Sequence, residues 1–472
     1  MSNKALRAVG RTGYMADKHI TIVGGGLAGC EAAWQAAQRG CTVHLFEMRP
    51  DVRTPAHQTD ALAELVCSNS LKSESLDDAS GLLKAEMRAL GSLVLSCADA
   101  HRVPAGSALA VDRERFANAV TRAIIEHPAI TLRREEVAAV PDHRPVIIAS
   151  GPLTSAALAD DLERRFAAFL GDAPRGGKLL YFYDAISPIV AAESIDVAVA
   201  FSAARYGVGG SDYLNCPMTR DEYSHFREAL LSGERYPLHA FEEPHYFEGC
   251  LPLEELAERG EDTLRYGPLR PVGLRDPRTG KRPFAVVQLR QEDSGPNGRA
   301  TMYNLVGCQT RLRRADQATA LRLIPGLANA EILRYGSVHR NTFVTAPLLL
   351  SPALEFRGEG GVFLAGQLTG VEGYLESAAT GLLAGRNAAR GLSGQPPLAP
   401  PPTTILGGLL HYLTRAAPTS FQPINANFGL LPPCSSVVRD RQERNRRLSA
   451  RGQQAFAAWL TAVGLSSDED SV

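Results

Sequence analysis

The 472-residue sequence predicts an α/β fold: a parallel-sheet domain, interrupted by an inserted α+β domain and followed by a C-terminal helical region. Three observations predict it. Residues 19–47 read as strand, glycine turn, helix and strand, the βαβ unit of a parallel sheet. The same patterning returns late in the chain, with a strand-like GGVFLAGQ at 360–367 and an Ala-rich helix at 376–390. Between about 181 and 335 that alternation gives way to aromatics, prolines and short mixed segments, as an inserted domain would.

Taken in order, residues 1–18 contain no apolar stretch of a secretory signal and are read as a flexible extension. HITIVGG (19–25) is β-branched and runs into glycine. Residues 29–39 are Ala-rich with a helical period, and Gly40 stops them. CTVHLFE (41–47) is a second strand. A helix is expected around 76–90 and another from near Asp112. PVIIASG (145–151) is a buried-type strand ending on glycine, with the amphipathic helix TSAALADDLERRFAAFL after it. The nucleotide-binding domain therefore spans 19–180 and 336–395, with the insertion at 181–335. QPPLAPPP (395–402) marks a boundary, and 403–472 is expected to be helical.

Composition narrows the class. Lys plus Arg (50) balance Asp plus Glu (51), so net charge alone does not argue for a polyanionic partner. No stretch approaches the roughly 18 uninterrupted apolar residues of a membrane span. Eight cysteines are scattered without CxxC pairs, which fits reduced thiols in a cytoplasmic protein and argues against a zinc site; no metal is expected. Nothing specifies an oligomeric state.

Gly24, Gly26 and Gly29 form GxGxxG between the first strand and helix. In this motif the first glycine permits the tight turn, the second lets backbone approach a pyrophosphate, and the third lets helix and strand pack closely. The helix N-terminus favours the phosphates. Glu47 closes the second strand 18 residues after Gly29, where a carboxylate accepts hydrogen bonds from an adenosine ribose. The fingerprint alone does not separate FAD from NAD. PVIIASG resembles a strand-and-glycine motif of FAD enzymes, and GVFLAGQ their late motif, with Gln367 in place of the usual Asp. Together these imply a Rossmann-type FAD-binding domain. The cofactor is expected on Gly24, Gly25, Gly26, Leu27, Ala28, Gly29, Glu47, Gly151, Gly366 and Gln367.

Longer strings point to one family. AELVCSNSLKS (63–73), GLLKAEMRALGSL (81–93), VPAGSALAVDRERF (103–116) and DYLNCPMT (212–219) belong to the set, as do YFEGCLPLEELAERGEDTLRYGPLRPVGL (246–274) and YNLVGCQTRL (303–312). YGSVHRNTF (335–343), AGQLTGVEGYLESAATGLLAGRNAA (365–389) and FQPINANFGLLP (421–432) complete it. Over residues 19–432 the chain closely resembles the folate- and FAD-dependent tRNA (uracil-5-)-methyltransferases, sisters of the flavoproteins that carboxymethylaminomethylate the wobble uridine. The resemblance implies methylation of the T-loop uridine (position 54) of tRNA to ribothymidine. Methylenetetrahydrofolate is then the carbon donor, reduced FAD the reductant, and NADPH or NADH the upstream source of electrons. The alternative is a general NAD(P)H-dependent FAD oxidoreductase acting on a small acceptor.

Carbon-5 of uracil becomes nucleophilic only when something adds to carbon-6, and a thiolate suits that task. A base must then remove the carbon-5 proton. Two cysteines match the family's reactive positions: Cys216 in LNCPMT is expected to attack carbon-6, and Cys67 in LVCSNS to assist at carbon-5, an assignment that can be reversed. His339 and Arg340 are candidate folate contacts, opposed by the bland reading of a surface pair. Glu372 and Tyr374 are expected near the cofactor. RLRR (311–314) and the arginines from Arg439 to Arg451 are candidate phosphate contacts, though most such helical faces are merely solvated.

Overall fold

A computed structural model of the chain describes residues 18–171, 180–205, 212–236, 251–294, 299–434 and 438–465. Residues 1–17, read above as a flexible extension, lie outside the described residues.

The first sheet has five parallel strands. Their spatial order is Val362–Leu364, Val146–Ile148, β1 (His19–Val23), β2 (Thr42–Glu47) and Ile130–Arg134. Val146–Ile148, Val362–Leu364 and β1 from Ile20 onward are buried at every position. Strands buried on both faces are written as unbroken apolar runs, which is why VIIA and VFLA carry no alternation. Each fully buried aliphatic side chain there stabilises the fold by about 1.5–3 kcal/mol.

Helix α1 (Leu27–Ala37) links β1 to β2 and packs on the late helix Tyr374–Leu392. The contact is backbone on backbone. A Cβ at Gly381 would stand 2.2 Å from the Ala28 carbonyl oxygen, and one at Gly385 2.4 Å from that of Ala32. The glycines of the TGLLAG string thus draw the middle of the late helix onto α1, although some 350 residues separate them in the chain.

A second apolar core, around Val190, Cys216, Phe226, Val287, Leu305 and Leu321, lies apart from the first. It covers a six-stranded antiparallel sheet in the order Phe201–Ser202, Tyr213–Met218, Ala285–Gln291, Met302–Leu305, Ile189–Ala191 and Ile332–Arg334. The chain passes into and out of this region side by side, through the antiparallel pair Leu180–Ile186 and Ser337–Phe343.

Two helices end the described chain. Ile405–Arg415 begins on Glu86, whose carboxylate accepts the N–H groups of Ile405 (2.9 Å) and Leu406 (2.8 Å). Arg441–Ala462 is capped by Asp440 and seats Leu448, Phe456 and Trp459 against the first core. Among the described residues no helix is long and apolar enough to cross a membrane, and no His/Cys/Asp/Glu cluster is arranged to hold a metal ion.

Candidate active site

A cleft of about 1050 Å³, its open mouth included, runs along the C-terminal ends of the parallel strands. Ligands of open α/β sheets bind at this edge. Gly24, Gly25, Gly26, Leu27, Ala28, Glu47, Gly151, Gly366 and Gln367 all line it. Gly29 does not; it sits beneath, where a Cβ would stand 1.8 Å from the Gly24 carbonyl oxygen. Gly24 has φ +107°, and a Cβ on it would meet the Ala149 carbonyl oxygen at 2.3 Å. Gly26 differs from both. Its φ is −77°, and a Cβ there would meet no protein atom within 4 Å. The protein does not need glycine at that position, but an occupant of the cleft would.

Gly26 caps α1 without a side-chain hydrogen bond, so the first-turn N–H groups remain available to an anion. Glu47 stands at the neighbouring strand end. Its carboxylate accepts the Gly25 N–H (2.8 Å) and both the N–H (3.0 Å) and Nε–H (2.9 Å) of Arg49. Burial pushes the Glu47 carboxyl up, but the hydrogen bonds and charge of Arg49 outweigh it and hold the group below the usual range. An ionised carboxylate with acceptor capacity to spare suits a ribose diol. These features fit the adenosine and pyrophosphate of FAD.

Also lining the cleft, Gln367 donates its side-chain amide to the buried carboxylate of Glu372 at 2.6 Å. The carboxyl group absent at 367 is therefore found five residues later, hydrogen-bonded to the amide. Tyr374 lines the cleft too. Its hydroxyl oxygen accepts the N–H groups of Cys67 (2.7 Å) and Ser68 (3.1 Å), which fixes the LVCSNS loop beside the cleft. The loop is gripped from elsewhere too. Arg113 donates to the Leu65 carbonyl, and Arg334 to that of Val66 at 2.6 Å. Arg290 donates to the Asn69 Oδ1 (2.8 Å) and the Ser68 Oγ (2.7 Å). Cys67 is left partly exposed. No local pattern in the sequence marks these arginines, because they converge only in three dimensions.

Cys216, expected to attack carbon-6, does not line this cleft. It sits on the strand Tyr213–Met218, opposite Val287, at 0% exposure inside the second core. Burial pushes its thiol up to about 12. A buried, protonated thiol is a poor nucleophile as it stands. Cys250 and the side chains of His339 and Arg340 lie outside the described residues.

Several arginines of the basic segments have partners within the protein. Arg311 bonds Glu255 at 2.8 Å, Arg313 pairs with Glu234 at 3.0 Å, and Arg314 lies over the Tyr335 ring. On the last helix, Arg447 pairs with Glu443 and Arg446 with Asp77, exposed contacts worth at most about 1 kcal/mol each.

His57 lines the cleft, and burial together with the charge of Arg49 pushes its imidazole down to about 4. The unfolded chain takes up this proton near pH 6.5, the native protein only near 4. The stability that His57 contributes is therefore present above about pH 6.5 and lost as pH falls through 4. Thermal melts across pH 4–7 are expected to fall less steeply for His57→Gln than for the wild-type chain; parallel curves would contradict this.

A sequence profile described as glucose inhibited division protein A matches residues 19–396. The chain is 57% identical to the methylenetetrahydrofolate–tRNA-(uracil-5-)-methyltransferase TrmFO of Moorella thermoacetica, over 94% of this chain and 98% of that one. It is 54% identical to the protein of the same name from Thermus thermophilus, over 94% and 97% of the two chains. Among solved structures, Aquifex aeolicus GidA superposes with a TM-score of 0.65 at 18% identity, covering 97% of this chain and 75% of that one, a likeness of fold.

Proposed function

Since the chain belongs to the methylenetetrahydrofolate–tRNA-(uracil-5-)-methyltransferase family, we propose that it methylates carbon-5 of the T-loop uridine (position 54) of tRNA, giving ribothymidine. The carbon comes from methylenetetrahydrofolate. FAD, when bound and reduced, supplies the two electrons that take the methylene to a methyl, and NADPH or NADH restores them. The site of action is the cytoplasm, where tRNA and reduced thiols are found.

One observation carries the reading: Tyr374, which lines the cleft, accepts the backbone N–H of the partly exposed Cys67. The chain's residues divide the work along that cleft. Gly24 to Ala28 and Glu47 would hold the adenosine and pyrophosphate of FAD, and Gly366, Gln367 and Tyr374 line the same cleft and would meet the rest of it. Cys67 acts there on the uracil ring. Addition of a thiolate to carbon-6 makes carbon-5 nucleophilic, and carbon-5 bonds to the methylene. Loss of the carbon-5 proton breaks the methylene's bond to the folate nitrogen and leaves an exocyclic methylene; a hydride added to that carbon makes the methyl, and expulsion of the thiolate restores the ring. The target base must leave its stack to reach this depth.

Purified protein supplied with unmodified tRNA transcript, labelled methylenetetrahydrofolate and NADPH is expected to place label in ribothymidine. FAD-loaded protein that leaves no label there would overturn the proposal. NADPH oxidation indifferent to tRNA, again without label, would instead indicate the general oxidoreductase.

A further inference from the structure

Three guanidinium groups converge on the loop that carries Cys67, and they come from three separate elements. Arg113 opens the helix Arg113–Glu126, Arg290 lies on the strand Ala285–Gln291, and Arg334 ends the strand Ile332–Arg334. The last two belong to the antiparallel sheet, not to the sheet that bears the cleft. Their acceptors on the loop are neutral: the carbonyls of Leu65 and Val66 and the side chains of Ser68 and Asn69. The loop's hydrogen bonds therefore orient the guanidiniums without cancelling their charge. Arg290 is 7% exposed, so water screens it weakly.

Among the described residues, the charged and titratable groups that interact with Cys67 include these three arginines and the Tyr374 hydroxyl, with the Glu292 carboxylate beside Arg113. Glu292 lies 2.8 Å from Arg113 and offsets one positive charge. Burial pushes the Tyr374 hydroxyl above its ordinary range, so it stays neutral. Among these groups, three cations stand against one carboxylate, an excess of positive charge in a poorly hydrated place. Buried charge calls for a counter-charge, and a thiolate provides one.

We propose that Arg113, Arg290 and Arg334 hold Cys67 as a thiolate at neutral pH, so that packing of the inserted sheet against the nucleotide-binding domain arms the thiol. The inference rests on reading Cys67 as the thiol that meets uracil, but its test does not require methylation. These arginines act through Cys67 and are positioning residues.

The test is the pH profile of Cys67 alkylation by iodoacetamide on the full-length FAD-loaded protein, read peptide by peptide in a mass spectrometer. The expected midpoint lies below the ordinary thiol value of about 8.5. Arg290→Met combined with Arg334→Met should raise the midpoint and slow alkylation at pH 7 by about tenfold or more. Arg290→Lys should keep the low midpoint. Ser68→Ala removes a partner of Arg290 but no charge, and should leave it unmoved. A wild-type midpoint at or above the ordinary value overturns the proposal, as does a folded double variant with an unchanged profile. So does a Ser68→Ala shift as large as the double variant's. If the double variant does not fold, the wild-type midpoint and the two single variants still decide. A low midpoint in a protein that fails to methylate tRNA would sink the functional reading and leave this one standing.

Discussion

Cys67→Ala is expected to lower tRNA methylation by about a thousandfold or more, while FAD content and melting temperature stay close to those of the wild-type chain. The selectivity follows from how the loop is held. Tyr374 takes the N–H of Cys67, not its sulfur, and Arg290 and Arg334 bind the flanking residues. Removing the sulfur therefore leaves the loop's framework in place. Trapping with tRNA that carries 5-fluorouridine then identifies the step. Loss of the covalent adduct assigns Cys67 to carbon-6; an adduct that persists without methylation assigns it to the carbon-5 proton. Cys216→Ala is the companion measurement. It removes a buried sulfur from the second core, costing about 1 kcal/mol of stability, and should methylate normally. Cys216→Ala without activity, alongside an active Cys67→Ala, would reverse the assignment made here.

The placement of the two cysteines shows what a sequence string does and does not carry. LNCPMT and LVCSNS look alike as short polar settings around a cysteine. In the fold, the first lies on an inner strand whose side chains at Cys216 and Met218 both enter a core, and the second lies on a loop. Proline at 217 presents no thiol; it merely occupies the strand beside Val286. The cofactor end was far more legible, because its requirements are local. A turn with φ +107° at Gly24, a close helix–strand contact at Gly29 and a carboxylate at the next strand end all leave marks within 30 residues. The Cys67 environment leaves none. Arg113, Arg290 and Arg334 lie 46, 223 and 267 residues beyond Cys67, and only the packing of two sheets brings them together. Gln367 is intermediate. Its departure from aspartate was visible, but its bond to Glu372 depends on the turn that begins at Gly366.

The glycines of the fingerprint separate two demands that the motif alone confounds. Gly29→Ala is expected to destabilise the protein itself by about 1–3 kcal/mol or more, because its Cβ would lie 1.8 Å from the Gly24 carbonyl oxygen and α1 must lift from β1 to admit it. FAD is then lost as a consequence of misplacing the turn. Gly26→Ala should behave differently. No protein atom lies within 4 Å of the new Cβ, and φ −77° suits alanine, so the apo-protein should melt within about 1 kcal/mol of the wild-type chain. FAD affinity should nevertheless fall by about a hundredfold, because the methyl group occupies the space where backbone meets pyrophosphate. Titrating FAD into each apo-protein during thermal melts reads both quantities at once, since a ligand that binds only the native state raises the melting temperature in proportion to its affinity. The wild-type chain should gain stability with FAD, Gly26→Ala should start level with it and gain little, and Gly29→Ala should start low. A Gly26→Ala protein that binds FAD normally would show that the pyrophosphate lies elsewhere in the cleft. The placement of the flavin beside Cys67 would fall with it, because the adenine end fixes where the reacting end can reach.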